Sequence, residues 1–175
     1  MRAMRWERLF TDLEAQADDV ELAERDDLID ELRDGEWAAT SWRAMLGGHV
    51  ALDVRGAGRV DGETVLVNEH VVQLRGGHVD HVISSRAVLS IISSESRGEV
   101  PTAVTAALGW GHVLRALRDE GEAVRLCLVD GSTKEGMVTA VGTDFVRVAA
   151  QSHIAETGAG HLVPFEALAM ASGRS

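Results

Sequence analysis

His78, Asp80 and His81, preceded by His70, form the densest group of potential metal ligands in the sequence. Tetrahedral zinc asks three or four imidazole, thiolate or carboxylate donors to converge about 2 Å from one point. A strand alternates its side chains between two faces, so His78 and Asp80 share one face while His81 takes the other. Two converging donors do not hold a metal, and a solvated strand edge is expected. His153, Glu156 and His161 make a second polar group, in a stretch that reads as a solvent-facing loop. Cys127 is the single cysteine, so no disulfide framework forms within the chain, and a reducing cytoplasm is expected. Alternation along its strand turns Cys127 inward, and Arg125 alone supplies little charge to activate a thiolate, which makes it a small packing residue.

Signatures of covalent and phosphate chemistry are missing. Neither Gly-x-Ser-x-Gly nor a related nucleophile elbow occurs, and the glycines at 56, 58, 76 and 77 follow strands without opening helices. The expectation is a protein that is not an enzyme and has no cofactor or metal site.

The formal charge is −11, with 28 acids against 17 Lys and Arg. Residues 1–40 hold 13 acids and 5 Arg, and residues 41–175 hold 15 acids and 12 Lys or Arg, so the front of the chain is its acidic part. Such a field repels phosphate backbones, whose binding relies on Lys and Arg releasing counterions. Hydrophobic residues at 45% suffice for a core without staples. The longest uncharged run, residues 100–114, is too short and too rich in Ala, Thr and Gly to span a membrane, and no signal peptide is read at the start.

The elements that must carry these residues fall into a repeat. Trp6, Leu9, Phe10, Leu13, Ala17 and Val20 recur at helical spacing, and the period resumes through Leu28, Leu32, Ala39, Trp42 and Met45 to a stop at Gly47 and Gly48. The period then shortens to two, predicting strands over residues 50–54, 65–67, 72–74, 81–84 and 88–92. A polar linker over 94–101 leads to a helix carrying Ala103, Ala107, Trp110, Val113, Leu114 and Leu117, and a second strand set follows over 124–128, 136–141, 145–148 and 161–170. Sliding by 74 positions aligns Val50 with Val124, Leu52 with Leu126, Gly62 with Gly136, Val67 with Val141 and Val72 with Val146. Further on the offset is 80, pairing Ile83 with Val163 and Val88 with Leu168, so the second copy has six extra residues within 149–160. The predicted fold is α+β, mainly β: N-terminal helices and two tandem five-stranded small β-barrels, each preceded by a helix. The predicted domains are an acidic helical segment over 1–48, a first barrel over 49–93 and a helix with the second barrel over 102–175, the helices covering open barrel ends so that both barrels pack as one body.

The run VRLCLVDGSTKEGMVTAVGTDFVRV over 124–148 resembles the first motif of the Sm-like, SH3-like small barrels, and ISSRAVLSI and VPFEALAM resemble their closing strands. The whole chain, opening MRAMRWERLFTDLEAQ, also resembles an uncharacterised actinobacterial family, some of whose members are labelled Fis-type regulators. RNA-binding Sm-like proteins use an Asp and an Asn on the turn between strands two and three and an Arg-Gly pair near strand five. Here the turns read VNEHV and VGTDFV, and the pairs are Arg86-Ala87 and Glu166-Ala167, so the base-stacking positions do not carry over. Nor does a basic helix-turn-helix occur to match the Fis-type label.

The functional expectation is a non-enzymatic, cytoplasmic protein-binding or scaffold protein, a monomer or homodimer, whose acidic arm suits a basic partner. Trp6, Trp37, Arg55, Arg75 and Arg86 are the candidate interface residues. Trp42 and Trp110 fit the apolar faces of their helices and are expected in the core. The alternative is an Sm-like RNA-binding regulator, which requires residues such as Arg43, Arg55, Arg59, Arg75, Arg86 and Arg147 to gather on one face.

Overall fold

The computed structural model describes residues 32–93, 103–149 and 160–174. The helix expected over 6–20, the 94–101 linker and most of the 149–160 insertion lie outside them. The chain divides into two compact units, Met1–Ser41 and Trp42–Ser175. In the first, residues 32–39 are helical (α1), with Leu32 and Trp37 exposed. The helical period expected to reach Met45 therefore stops at Ala39, and Trp42–Met45 forms a separate 3-10 turn.

The second unit is mostly β. Its strands are β1 (His49–Val54), β2 (Gly58–Val67), β3 (Val71–Gly76), β4 (Val79–Ser84), β5 (Val88–Ser93), β6 (Ala123–Leu128), β7 (Thr133–Val141), β8 (Phe145–Ala149), β9 (His161–Pro164) and β10 (Leu168–Arg174). Between β5 and β6 lie α2 (Ala103–Ala106) and α3 (Trp110–Glu120). All ten strands join one open antiparallel sheet in the order β5-β1-β2-β3-β4-β10-β6-β7-β8-β9. This corrects the expected pair of five-stranded barrels each preceded by a helix. Neither half closes on itself, because β4 pairs with β10, Ile83 opposite Met170 through Val79 opposite Arg174, and carries the sheet across from one repeat to the other. Nor does a regular helix lead directly into β1, since the 3-10 turn precedes it.

Within the sheet the duplication holds to fine detail. Val50 faces Gly62 in β1 and β2, and Val124 faces Gly136 in β6 and β7. Both second strands bulge at matched positions, between Thr64 and Leu66 and between Val138 and Ala140. The glycines are required by close approach: a Cβ on Gly62 would lie 2.7 Å from the Arg75 carbonyl oxygen, and one on Gly136 would collide with that of Ala149. Three-residue 3-10 links, Ser85–Ala87 and Phe165–Ala167, join β4 to β5 and β9 to β10 at the offset of 80.

Two apolar clusters fill the two halves, and each borrows from the other. Leu46, Val50, Leu52, Leu74 and Ile83 build the first, joined by Ala169 of β10. Leu114, Leu126, Val146, Val148 and Val163 build the second, joined by Val71 of β3 and by Trp110. Trp42 packs at the margin of the first cluster, so both helix-face tryptophans serve the core.

The one helix expected across 103–117 is two. Buried Asn68, on the β2–β3 turn, donates from Nδ2 to the Thr105 carbonyl at 2.7 Å and to the Leu108 carbonyl at 2.9 Å. A continuous helix would have used those carbonyls for the N–H groups of Gly109 and His112. Instead His112 N–H turns to the Gly109 carbonyl, and Gly109 is extended and starts α3 afresh. Oδ1 of Asn68 accepts from the N–H groups of His70 and Val71 at 2.8 and 2.9 Å, so all four polar capacities of this amide are used.

Candidate functional site

Arg55, Arg86 and Arg115 line one cleft of about 630 Å³ in the second unit. Arg55 opens the β1–β2 turn, and its N–H donates to the Ala87 carbonyl at 2.8 Å, tying that turn to the 3-10 link that carries Arg86. The second repeat makes the same tie, Val129 N–H to the Ala167 carbonyl at 3.0 Å. The scaffold is thus duplicated while its charge is not: the counterparts of Arg55 and Arg86 are Val129 and Glu166, which line the same cleft beside Phe165.

The start of α3 supplies a further wall through Gly109, Trp110, Gly111 and His112. Its N-cap is a glycine with no side-chain cap, which leaves the positive end of the helix to other partners. Arg115 folds back over this first turn: a Cβ on Gly111 would meet its Nη1 at 3.0 Å, and Nη2 donates to the Gly142 carbonyl at 3.5 Å. Trp110 is buried, and its indole N–H has no hydrogen-bond partner among the described residues. Three guanidinium groups face the carboxylates of Glu69 and Glu166, a local reversal of sign in a chain of net −11.

Beside the cleft, the β1–β2 turn is seated against the β6–β7 turn. Cys127 Sγ donates to the Gly56 carbonyl at 3.2 Å. Burial pushes its thiol pKa up, Arg125 draws it back in part, and Asp130 adds to the rise, so the thiolate is disfavoured.

Arg75 does not line the cleft; it pairs across strands with Asp80 at 3.3 Å. Trp37 is exposed in the first unit, and Trp6, His153 and Glu156 lie outside the described residues. Arg43 lies over the Trp42 ring at 4.7 Å. Of the six arginines whose gathering RNA binding requires, Arg55 and Arg86 line this cleft. Sequence reasoning missed Arg115, Trp110 and the α3 terminus as members of one site, because the helix and the turns that line the cleft come from separate stretches of the chain and meet only in the folded unit.

The His78, Asp80 and His81 group is dispersed. Asp80 accepts from Arg75 and, at 3.4 Å, from Gln73, while His81 Nδ1 lies 3.0 Å from Ser172 Oγ across the junction. Among the described residues, no three His, Cys, Asp or Glu side chains group closely enough to hold a metal. No helix among them is long and apolar enough to cross a membrane.

Burial lowers the His81 pKa below its ordinary 6.5, against the opposing pull of Asp80 and Asp61. The unfolded chain therefore takes up this proton first as pH falls. His81 leaves stability unchanged well above pH 6.5, subtracts from it as pH drops through 6.5, and stops doing so below the lowered folded value. Urea unfolding measured from about pH 8 to about pH 5 is expected to show that decline, and His81→Asn to flatten it.

A scan against protein-family models matches nothing in this chain, and a search of curated proteins finds no match to it.

Proposed function

We propose that this protein is a non-enzymatic cytoplasmic scaffold that holds an acidic segment of a protein partner in the arginine-lined cleft. The observation that carries this is the shared cleft of Arg55, Arg86 and Arg115 beside an uncapped helix start, in a chain otherwise rich in carboxylates. Guanidinium groups take carboxylates in bidentate pairs, and the helix terminus favours the same sign of ligand. A volume of about 630 Å³ suits a few side chains of a peptide, and Trp110 and Phe165 add apolar wall. The acidic segment over 1–40 offers a separate contact for a basic region of the partner.

Fluorescence titration of the full chain with a glutamate-rich peptide, a lysine-rich peptide and single-stranded RNA, each over a salt series, tests the assignment. The acidic peptide is expected to bind, and the double change Arg55→Glu with Arg86→Glu to weaken it about tenfold or more, which corresponds to about 1.4 kcal/mol. Salt-dependent retention of RNA, lost in the same double variant, would instead favour the nucleic-acid alternative. Equal affinity of wild type and variant for the acidic peptide would remove the cleft from the function.

A further inference from the structure

Helix α3 begins on Gly109, which has no side chain to cap it, and its first turn holds no acid. The cap comes instead from His112, three residues on. Its Nδ1 accepts from the Gly109 N–H at 3.4 Å, while its own N–H donates to the Gly109 carbonyl at 3.0 Å. Glu or Gln ordinarily holds this third helical position in such a reciprocal cap. Imidazole brings a further condition, because a ring nitrogen accepts only while it is unprotonated. This cap therefore requires the neutral ring with its proton on Nε2.

Gly109 and His112 both line the arginine cleft. The charged and titratable groups that face them there are Arg55 from the β1–β2 turn, Glu69 and His70 from the β2–β3 turn, Arg86 and Glu166 from the two 3-10 links, and Arg115 from α3 itself. His70 lies against the helix start, since a Cβ on Gly109 would be 3.8 Å from its Cβ and Cγ. None of Arg55, Arg86 and Arg115 forms an ion pair among the described residues. Three guanidinium groups, with a positive charge of about one half at the helix start, outweigh the two carboxylates, so the empty cleft resists a further cation. An anion reverses that balance. With a ligand carboxylate in place, protonating His112 releases the Gly109 N–H to a ligand oxygen and turns Nδ1 from an acceptor into a charged donor.

We infer that the cleft is a proton-coupled binding site, in which His112 gives up its cap on Gly109 and takes a proton as an acidic segment enters. Built on the acidic-ligand reading above, this coupling adds a dependence on pH. The occupied cleft holds the His112 proton more tightly than the empty one, so binding takes up a proton. Affinity therefore rises as pH falls through the range in which imidazole changes charge, about pH 8 to 5. Glutamate side chains of the ligand, which titrate near pH 4.3, stay charged down to about pH 6.

Isothermal titration calorimetry of the full chain with a glutamate-rich peptide, at pH 8, 7 and 6 in constant salt and in two buffers of different ionisation enthalpy, reads affinity and proton uptake together. The wild type is expected to bind about tenfold more tightly at pH 6 than at pH 8, with a net uptake of up to about one proton per peptide. His112→Gln is the decisive variant, because glutamine still accepts from the N-cap N–H but takes up no proton. It is expected to lose most of the uptake and to shrink the pH effect to about twofold or less, the remainder coming from the falling negative charge of the whole chain. His70→Gln, which removes the other histidine of the cleft, is expected to keep the coupling. Wild-type binding without proton uptake overturns the coupling and leaves the acidic-ligand reading standing. So does an uptake that survives in His112→Gln, or one that disappears only in His70→Gln. A peptide that binds at none of these pH values overturns both.

Discussion

Replacing Asn68 by Ala is expected to cost the second unit about 3–5 kcal/mol, seen as a fall of roughly 10–18 °C in melting temperature. The side chain is buried and spends all four of its hydrogen-bonding capacities on backbone groups: the carbonyls of Thr105 and Leu108, and the N–H groups of His70 and Val71. Alanine removes one partner from each, and a buried group left unpaired costs about 1–3 kcal/mol, which relaxation and water entry soften at the partly exposed members of the set. Asn68→Asp is the sharper probe. It can still accept from His70 and Val71 but sets a carboxylate against two carbonyls, so it is expected to destabilise nearly as much at neutral pH and to recover in part as acid protonates it. A loss below about 1 kcal/mol for the alanine variant in thermal or urea unfolding would show that the α2–α3 break is held by something other than this amide.

The second large effect is expected at Gly56, the residue through which the β1–β2 turn meets the β6–β7 turn. Its φ is +78°, and an added Cβ would run into the Leu128 carbonyl and come within 3.0 Å of the Gly131 nitrogen. Gly58 is the control, with nearly the same φ of +75° and open space around it. Gly58→Ala is expected to cost about 1–2 kcal/mol, the price of a left-handed conformation for an L-residue. Gly56→Ala is expected to cost at least about 2 kcal/mol more, because the obstacle is backbone and cannot rotate away. It also separates Cys127 from its acceptor, so the thiol should react faster with a maleimide reagent in Gly56→Ala than in Gly58→Ala. Equal losses from the two substitutions would mean that the turns yield freely.

The strands were readable in the sequence because each half-buried strand repeats its apolar residues every second position, and Val50, Leu52 and Val54 are buried as that spacing requires. The repeat was readable because Gly62 and Gly136 occupy the same close approach in both copies. The single sheet was not readable. The pairing of β4 with β10 joins residues far apart in sequence, and nothing local in His81 or Ser172 announces its partner. The helix break was hidden for a related reason: Ala103, Ala107, Trp110 and Leu114 keep a helical period straight through it, and the amide that interrupts them comes from another turn. The cleft had one usable signal. Where two copies share a scaffold, positions at which they differ in charge, Arg55 against Val129 and Arg86 against Glu166, mark the face on which they have been put to different use.

The order in which the strands are synthesised gives the β4·β10 junction a kinetic side. About 80 residues separate Ser84 from Leu168, so on a ribosome adding about 5–20 residues per second the outer edge of β4 waits roughly 4–16 s for its partner. The first repeat can pair β5, β1, β2, β3 and β4 during that interval, since those contacts lie close in sequence, but its core lacks Ala169. In a crowded cell the nascent chain thus carries an adhesive edge for several seconds. Overproduction, which raises the number of such half-made chains at one time, is expected to load the insoluble fraction chiefly through β4.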